Sequence, residues 1–117
     1  MAGPHPEFSV SLARSAEDIR AAQRLRYRVF VEELGGGGPL VDHKQGLEID
    51  AFDTCSRHLL LRDRARPEAD QVVGVYRLMT REDAASGRGF YTTSEYDLSP
   101  LLTSGRRLLE LGRSCLH

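Results

Sequence analysis

Glu110 and Arg113 stand three residues apart in the run Leu109-Glu110-Leu111-Gly112-Arg113-Ser114-Cys115, which otherwise reads as a buried strand. Arg77 repeats the anomaly inside the apolar run Val72–Met79. Charged groups are rarely placed among apolar strand residues unless they are paired or at work. An arginine grips a carboxylate through two parallel hydrogen bonds, and acidic side chains hold an ammonium. Three ionisable groups on two apolar strands therefore point to a cleft for a charged small molecule. Asp42, Glu48, Asp50 and Asp53 lie in the long connection 40–54 and would complement it. Together they suit a zwitterionic, amino-acid-like ligand. The competing reading of Glu110 and Arg113 is a structural ion pair. Desolvation offsets much of the attraction in such a pair, so it adds little stability, and that favours a functional role.

The elements that must position these groups follow from periodicity. Strict alternation puts Glu110 and Arg113 on opposite faces of their strand. A bulge near Gly112 would bring both to one side, so an irregularity is expected between Glu110 and Arg113. On Gln71–Thr80, Val73, Val75, Arg77 and Met79 share a face. Gly74 marks a bulge or a close backbone approach. His58–Leu61 is a strand that pairs with Gln71–Thr80 as a hairpin. Phe8–Leu12 alternates Phe8, Val10 and Leu12 with two serines and reads as a half-buried strand.

Ser15 is placed as a helix N-cap, with Asp18 completing a capping-box pattern. The helix should run from about Ala16 to Leu34 and end at Gly35 in a left-handed cap. Its apolar arc contains Ile19, Ala22, Leu25, Val29 and Phe30. Arg26 and Glu33 project from inside that arc. Arg26 either snorkels to water at the rim or joins the site. Arg81–Thr93 reads as a polar connection, and Ser99–Leu102 as a short helical turn. This order of elements gives an α+β (mixed α/β) fold with a mostly antiparallel sheet.

Bulk properties narrow the function. The 117 residues suit a single domain, residues 1–117. A net charge of −1 argues against a nucleic-acid binder. No apolar run approaches the roughly 20 residues that span a bilayer, and Met1–Val10 does not resemble a secretory signal, so the cytoplasm is the expected compartment. Cys55 and Cys115 are expected as reduced thiols. The four histidines lack metal-ligand spacing, so no metal site is expected. Cys115 has no base placed for it by sequence. Gly35–Gly38 follows a helix and lacks the Lys-Ser/Thr ending of a phosphate loop.

The blocks Leu25-Arg26-Tyr27-Arg28-Val29-Phe30, Glu48-Ile49-Asp50-Ala51-Phe52-Asp53, Val73-Gly74-Val75-Tyr76-Arg77-Leu78, Tyr96-Asp97-Leu98 and Glu110-Leu111-Gly112-Arg113-Ser114-Cys115 occur in this order. In order and spacing the chain resembles the ornithine acyl-carrier-protein N-acyltransferases. These are GNAT-like enzymes related to the acyl-homoserine-lactone (autoinducer) synthases. The resemblance implies a GNAT-like fold and transfer of a (3-hydroxy)acyl group to the α-amine of ornithine, in ornithine lipid biosynthesis. The donor would be an acyl-carrier-protein phosphopantetheine thioester, or acyl-CoA, with no permanently bound cofactor.

By the same resemblance Arg26, Phe30, Asp50, Asp53, Arg77 and Arg113 contact substrate, and Glu110 is the catalytic base that frees the attacking amine. Backbone N–H groups at the expected bulge would hold the oxyanion. The acyl-carrier protein and a small amino acid are the implied partners, with peripheral membrane contact through the lipid product. The chain matches an N-terminal half: the segment that cradles the pantetheine phosphate in such enzymes is missing, and the domain is expected to be incomplete at its C-terminus. The exposed edge of the last strand then invites homodimer pairing. Two other readings stand beside this one. One is an autoinducer synthase, which the lack of Trp disfavours. The other is an inactive half-domain that binds a partner or a small amine.

Overall fold

The computed structural model describes residues 5–94 and 97–116. Tyr96, named above, lies outside the described residues. Strands β1 (Phe8–Leu12), β2 (Arg57–Asp63), β3 (Val72–Thr80) and β4 (Leu109–Leu116) form an antiparallel sheet in sequence order. Helix α1 (Ala16–Arg26) packs on one face of it. Helices α2 (Arg81–Ser86) and α3 (Ser99–Leu102) lie in the excursion between β3 and β4. This is the α+β arrangement expected from the order of elements.

Ser15 caps α1 through its hydroxyl, which accepts from the Asp18 N–H at 3.1 Å. The Asp18 carboxylate reaches back to the Arg14 N–H instead of closing the box on Ser15, and it also takes Arg62. The helical path then continues from Tyr27 to Glu33 as a π-helix and ends at Gly35, whose φ of 72° is the expected left-handed cap. The wider π turn changes the phase of the second half. Glu33, expected inside the apolar arc, is exposed for that reason.

Ala22 and Leu25 of α1 pack with Leu60, Val75 and Cys115 into one core cluster. A second cluster, Met79, Ala84 and Phe90, lies under the β3–β4 excursion. Val75, Arg77 and Met79 share the buried face of β3, as the alternation requires, and Val73 is buried where the strand carries an extra residue. β1 corrects its expectation. The strand forms, but Phe8, Val10 and Leu12 occupy the exposed face, while Ser9 and Ser11 accept hydrogen bonds from Arg64 and Arg62. The reason is tertiary: α1 lies on the serine side, where Arg62 links Ser11 to Asp18.

Two irregularities shape the sheet. Leu61 pairs with Gly74 and Arg62 with Val72, so β3 carries an extra residue beside Gly74. A Cβ at Gly74 would stand 2.7 Å from Leu116 Cδ2 and 3.2 Å from Leu61 Cβ, the close approach that its position suggested. Val75 pairs with Cys115 and Arg77 with Gly112, so β4 carries an extra residue at Arg113–Ser114. The irregularity expected between Glu110 and Arg113 is present at Arg113 itself.

The segment read as a polar connection contains α2, which the sequence reading missed. Its signal was Thr80-x-x-Asp83, a reciprocal capping box in the structure. Thr80→Ala should cost about 1 kcal/mol of stability, measured as a lower urea midpoint with an unchanged slope.

Candidate active site

Arg26 is wholly buried, so the snorkelling alternative is ruled out. Its Nη1 and Nη2 donate to Asp53 Oδ1 and Oδ2 at 2.8 and 2.7 Å, a two-pronged grip. Nη2 also donates to the Glu48 carbonyl at 2.6 Å, and Nε stands 2.8 Å from Glu48 Oε1 as an ion pair. α1 supplies this geometry because Gln23 and Arg26 lie one turn apart on its buried face. Gln23 accordingly donates to the same Asp53 carboxylate at 3.2 Å.

The network extends outward from Arg26. Arg77 Nη1 reaches Asp50 Oδ1 at 2.6 Å and Asp53 Oδ1 at 3.3 Å. Arg113 Nη2 stands 3.3 Å from Glu48 Oε2, and its Nε 3.7 Å from Asp50 Oδ2. Three arginines thus meet three carboxylates. Exposure rises along the series: the Arg26, Arg77 and Arg113 side chains are 0, 6 and 33% accessible. The Arg113 guanidinium lies 5.2 Å from the centre of the Phe30 ring, and that of Arg77 lies 5.7 Å from that of Phe52. Both stackings hold a planar cation in place.

Arg113 adopts a φ of 48°. A left-handed backbone costs a non-glycine residue on the order of 1 kcal/mol. Here it accompanies the bulge that turns the guanidinium inward toward Glu48 and Asp50.

Glu110 sits on the same side of β4. Its Oε1 accepts the Tyr91 N–H at 2.8 Å, and its Oε2 accepts the Thr92 N–H at 2.7 Å and the Thr92 hydroxyl. Arg77, Glu110 and Arg113 line one cleft of about 260 Å³, together with Met79, Tyr91 and Thr92. The three charged residues singled out by sequence therefore converge.

The other expected contacts divide. Asp50 and Phe30 are half-buried beside the cleft arginines, whereas Arg26 and Asp53 are sealed beneath them and hold one another. Neither is among the residues that line the cleft. Gln23 and His58 were not singled out by sequence as site residues, and Glu48 was named only as one of the acidic residues of the 40–54 connection. For Gln23 the available signal was its spacing of three from Arg26. Cys115 is buried, and burial pushes its thiol pKa up to about 11, well away from a reactive thiolate.

Protonation of this network has a defined sign. Burial alone would raise the Asp53 pKa, but hydrogen bonds and charge from Arg26, with help from the Asp50 N–H and Gln23, bring it down to about 2. Arg26 is held above its ordinary value, because the pull of Asp53, Glu48 and Asp50 outweighs desolvation. His58, opposite Arg77 in the β2–β3 register, is 2% exposed, and its Nε2 stands 3.3 Å from the Asp53 carbonyl. Burial lowers its pKa, the Asp53 carbonyl and carboxylate oppose that shift, and Arg26 and Arg77 add to it.

Both depressed pKa values mean that the unfolded chain binds protons more tightly than the folded one. Stability should therefore fall as pH drops below the ordinary His value of 6.5. A second loss of about 2 kcal/mol should follow between the ordinary Asp value of 3.8 and about 2. Urea titrations across this range measure both arms. His58→Gln should remove the first arm and leave the second.

The family model described as an acetyltransferase (GNAT) domain matches residues 25–117. The L-ornithine N(alpha)-acyltransferase of Rhodobacter capsulatus is 56% identical over 119 residues, covering 100% of this chain and 46% of that protein. The protein of the same name from Brucella abortus is 48% identical over 113 residues, covering 93% of this chain and 40% of that protein. The chain thus spans less than half the length of these curated relatives. The crystal structure of the AHL synthase LasI superposes with a TM-score of 0.57 at 20% identity, covering 96% of this chain and 54% of that one. That likeness extends over the sheet and helix just described and speaks for the fold. With the matched family domain covering all but its first 24 residues, the chain belongs to the acetyltransferase (GNAT) family.

Proposed function

We propose that this chain contributes the amine-activating half of an L-ornithine Nα-acyltransferase, acting in ornithine lipid biosynthesis in the cytoplasm. The observation that carries the reading is the convergence of Arg77, Glu110 and Arg113 on one cleft, in a chain 56% identical to a protein of that name. The donor is an acyl thioester, on acyl-carrier protein or on CoA.

The chemistry follows from the acceptor capacity of Glu110. A carboxylate has about four acceptor positions. Tyr91 and Thr92 fill three of them, leaving roughly one directed at the cleft. That position takes a single proton from the α-ammonium, directly or through water, and frees the amine for attack. The amine nitrogen attacks the thioester carbonyl carbon, the new C–N bond forms as the C–S bond breaks, and the second proton lost by the nitrogen goes to the departing sulfur, which leaves as the thiol. The oxyanion is held by backbone N–H groups at the β4 bulge, where an extra residue is released from the ladder.

Arg113, the most exposed of the three arginines, takes the substrate carboxylate, and Asp50 takes the distal ammonium. Phe30 fixes the plane of Arg113. Arg77 orients Asp50, while Arg26 and Asp53 hold the wall behind it.

The test is thiol release from an acyl-carrier-protein thioester, measured on this chain and on a polypeptide extended to the relatives' length. The mixture contains either L-ornithine or S-adenosylmethionine. Release with L-ornithine alone is the expected result. Release only with S-adenosylmethionine would replace the reading by that of an autoinducer synthase, and no release with either amine would leave a binding half-domain.

A further inference from the structure

We infer that Phe52 is a positioning residue that fixes which length of L-diamino acid the cleft accepts, because it spaces the Asp50 and Glu110 carboxylates through Arg77 and Tyr91. The assignment rests on the acyl-transfer reading above. Phe52 belongs to the block Glu48–Asp53, whose charged members the site already uses. Its ring is half-buried and packs against the cluster of Met79, Ala84 and Phe90. It does not itself line the cleft, whereas Arg77, Tyr91 and Glu110 do.

The backbone of Phe52 is fixed on both sides. Its N–H donates to Asp50 Oδ1 at 2.9 Å, and its carbonyl accepts from the Ser56 hydroxyl at 2.6 Å and the Cys55 N–H at 3.2 Å. A ring on a backbone so held has few rotamers open to it. The one it adopts meets both halves of the site. The Arg77 guanidinium carbon lies 5.7 Å from the ring centre. The Tyr91 ring meets it edge-on, with centroids 5.3 Å apart and planes at 67°. Both are favoured partners of an aromatic ring, a cation over its face and a T-shaped neighbour.

Those two neighbours hold the two carboxylates. Arg77 Nη1 donates to Asp50 Oδ1 at 2.6 Å, and the Tyr91 N–H donates to Glu110 Oε1 at 2.8 Å. Asp50 is the group assigned to the distal ammonium, and Glu110 the group assigned to the α-ammonium. The gap between them is therefore a gauge for the carbons that separate the two nitrogens. Diaminobutyrate is one methylene shorter than ornithine, and lysine one longer. A methylene of misfit changes kcat/KM by roughly 10- to 200-fold, provided that the gap keeps its width. A flat ring packed on both Arg77 and Tyr91 keeps it. A side chain without that ring releases both.

The experiment measures kcat and KM for thiol release from an acyl-carrier-protein thioester by the polypeptide extended to the relatives' length. The amine is L-diaminobutyrate, L-ornithine or L-lysine. The wild type should prefer L-ornithine to either neighbour by at least about tenfold. Phe52→Leu and the more nearly volume-conserving Phe52→Met should reduce that preference to less than about threefold, as loss of the methylene discrimination requires. Glu110 keeps its backbone donors in both, so the change should fall on KM for L-ornithine more than on kcat. Phe52→Tyr keeps the ring and should keep the preference. Circular dichroism checks that each variant folds, and Phe52→Met decides if Phe52→Leu does not.

A wild type that takes the three amines alike would overturn the inference. So would leucine and methionine variants that fold and keep the preference, because a side chain serving the core alone would lower the urea midpoint and leave selectivity untouched. Failure of the acyl-transfer reading looks different: the wild type would then release no thiol with any of the three amines, and the role of Phe52 would fall with it.

Discussion

Arg26→Ala is expected to destabilise the fold by about 3–5 kcal/mol. The guanidinium is wholly buried and holds Asp53 in two prongs, with Glu48 beside it. Removing it leaves two carboxylates, 4 and 6% accessible, without their principal counter-charge. Arg77 and Arg113 reach the same carboxylates only at 3.3 Å, and they cannot replace a grip made from within α1. The loss is large against the 5–15 kcal/mol of a typical domain. Arg26→Lys keeps the charge but not the fork, so it should recover part of the loss. Urea midpoints of the two variants, compared at pH 7, check the order. If alanine and lysine gave equal, small losses, the buried network would not hold the 48–53 loop in place.

Glu110→Gln should lower ornithine-dependent acyl transfer by about 10²–10⁴-fold, the usual contribution of a positioned general base. The amide cannot take a proton from the amine. Its NH₂ also replaces one carboxylate oxygen, so either the Tyr91 or the Thr92 N–H loses its acceptor. Two effects are therefore combined, and Thr92→Val separates them. Thr92→Val removes the hydroxyl bond to Glu110 but leaves the carboxylate and the backbone bonds, so transfer should fall by less than tenfold. A Glu110→Gln enzyme of undiminished rate would end the base assignment.

Particular residues show how far the sequence carries. Ser15, Gly35 and the alternation of Val73, Val75, Arg77 and Met79 marked elements that the structure contains. Their signals are local: a hydroxyl over free N–H groups, a glycine tolerant of positive φ, and a period of two. The charges of Arg77, Glu110 and Arg113 stood out because an ion in an apolar strand is costly, and that cost is a property of residue type. The bulge was inferable because strict alternation would have sent Glu110 and Arg113 to opposite faces, and it sits at Arg113.

Partners were not inferable in this way. Nothing in the 40–54 segment distinguishes Glu48 and Asp53, which are sealed against Arg26, from Asp50, which stays at the cleft. The difference arises when that loop folds over α1 and the Glu48 N–H donates to the Gln23 carbonyl at 3.0 Å. Glu33 left the apolar arc because α1 continues as a π-helix, a change of phase that side-chain spacing does not encode.

Local chemistry in the sequence thus determined the strands, the capped helix and the ionic residues that set this chain apart, since each depends on a residue and its near neighbours. Only the tertiary structure decided which arginine meets which carboxylate, which face of β1 is covered, and that Glu110 fastens the Tyr91–Thr92 turn to β4. Those outcomes depend on the meeting of segments far apart in the chain, where burial and electrostatics select among pairings that the one-dimensional pattern leaves equivalent.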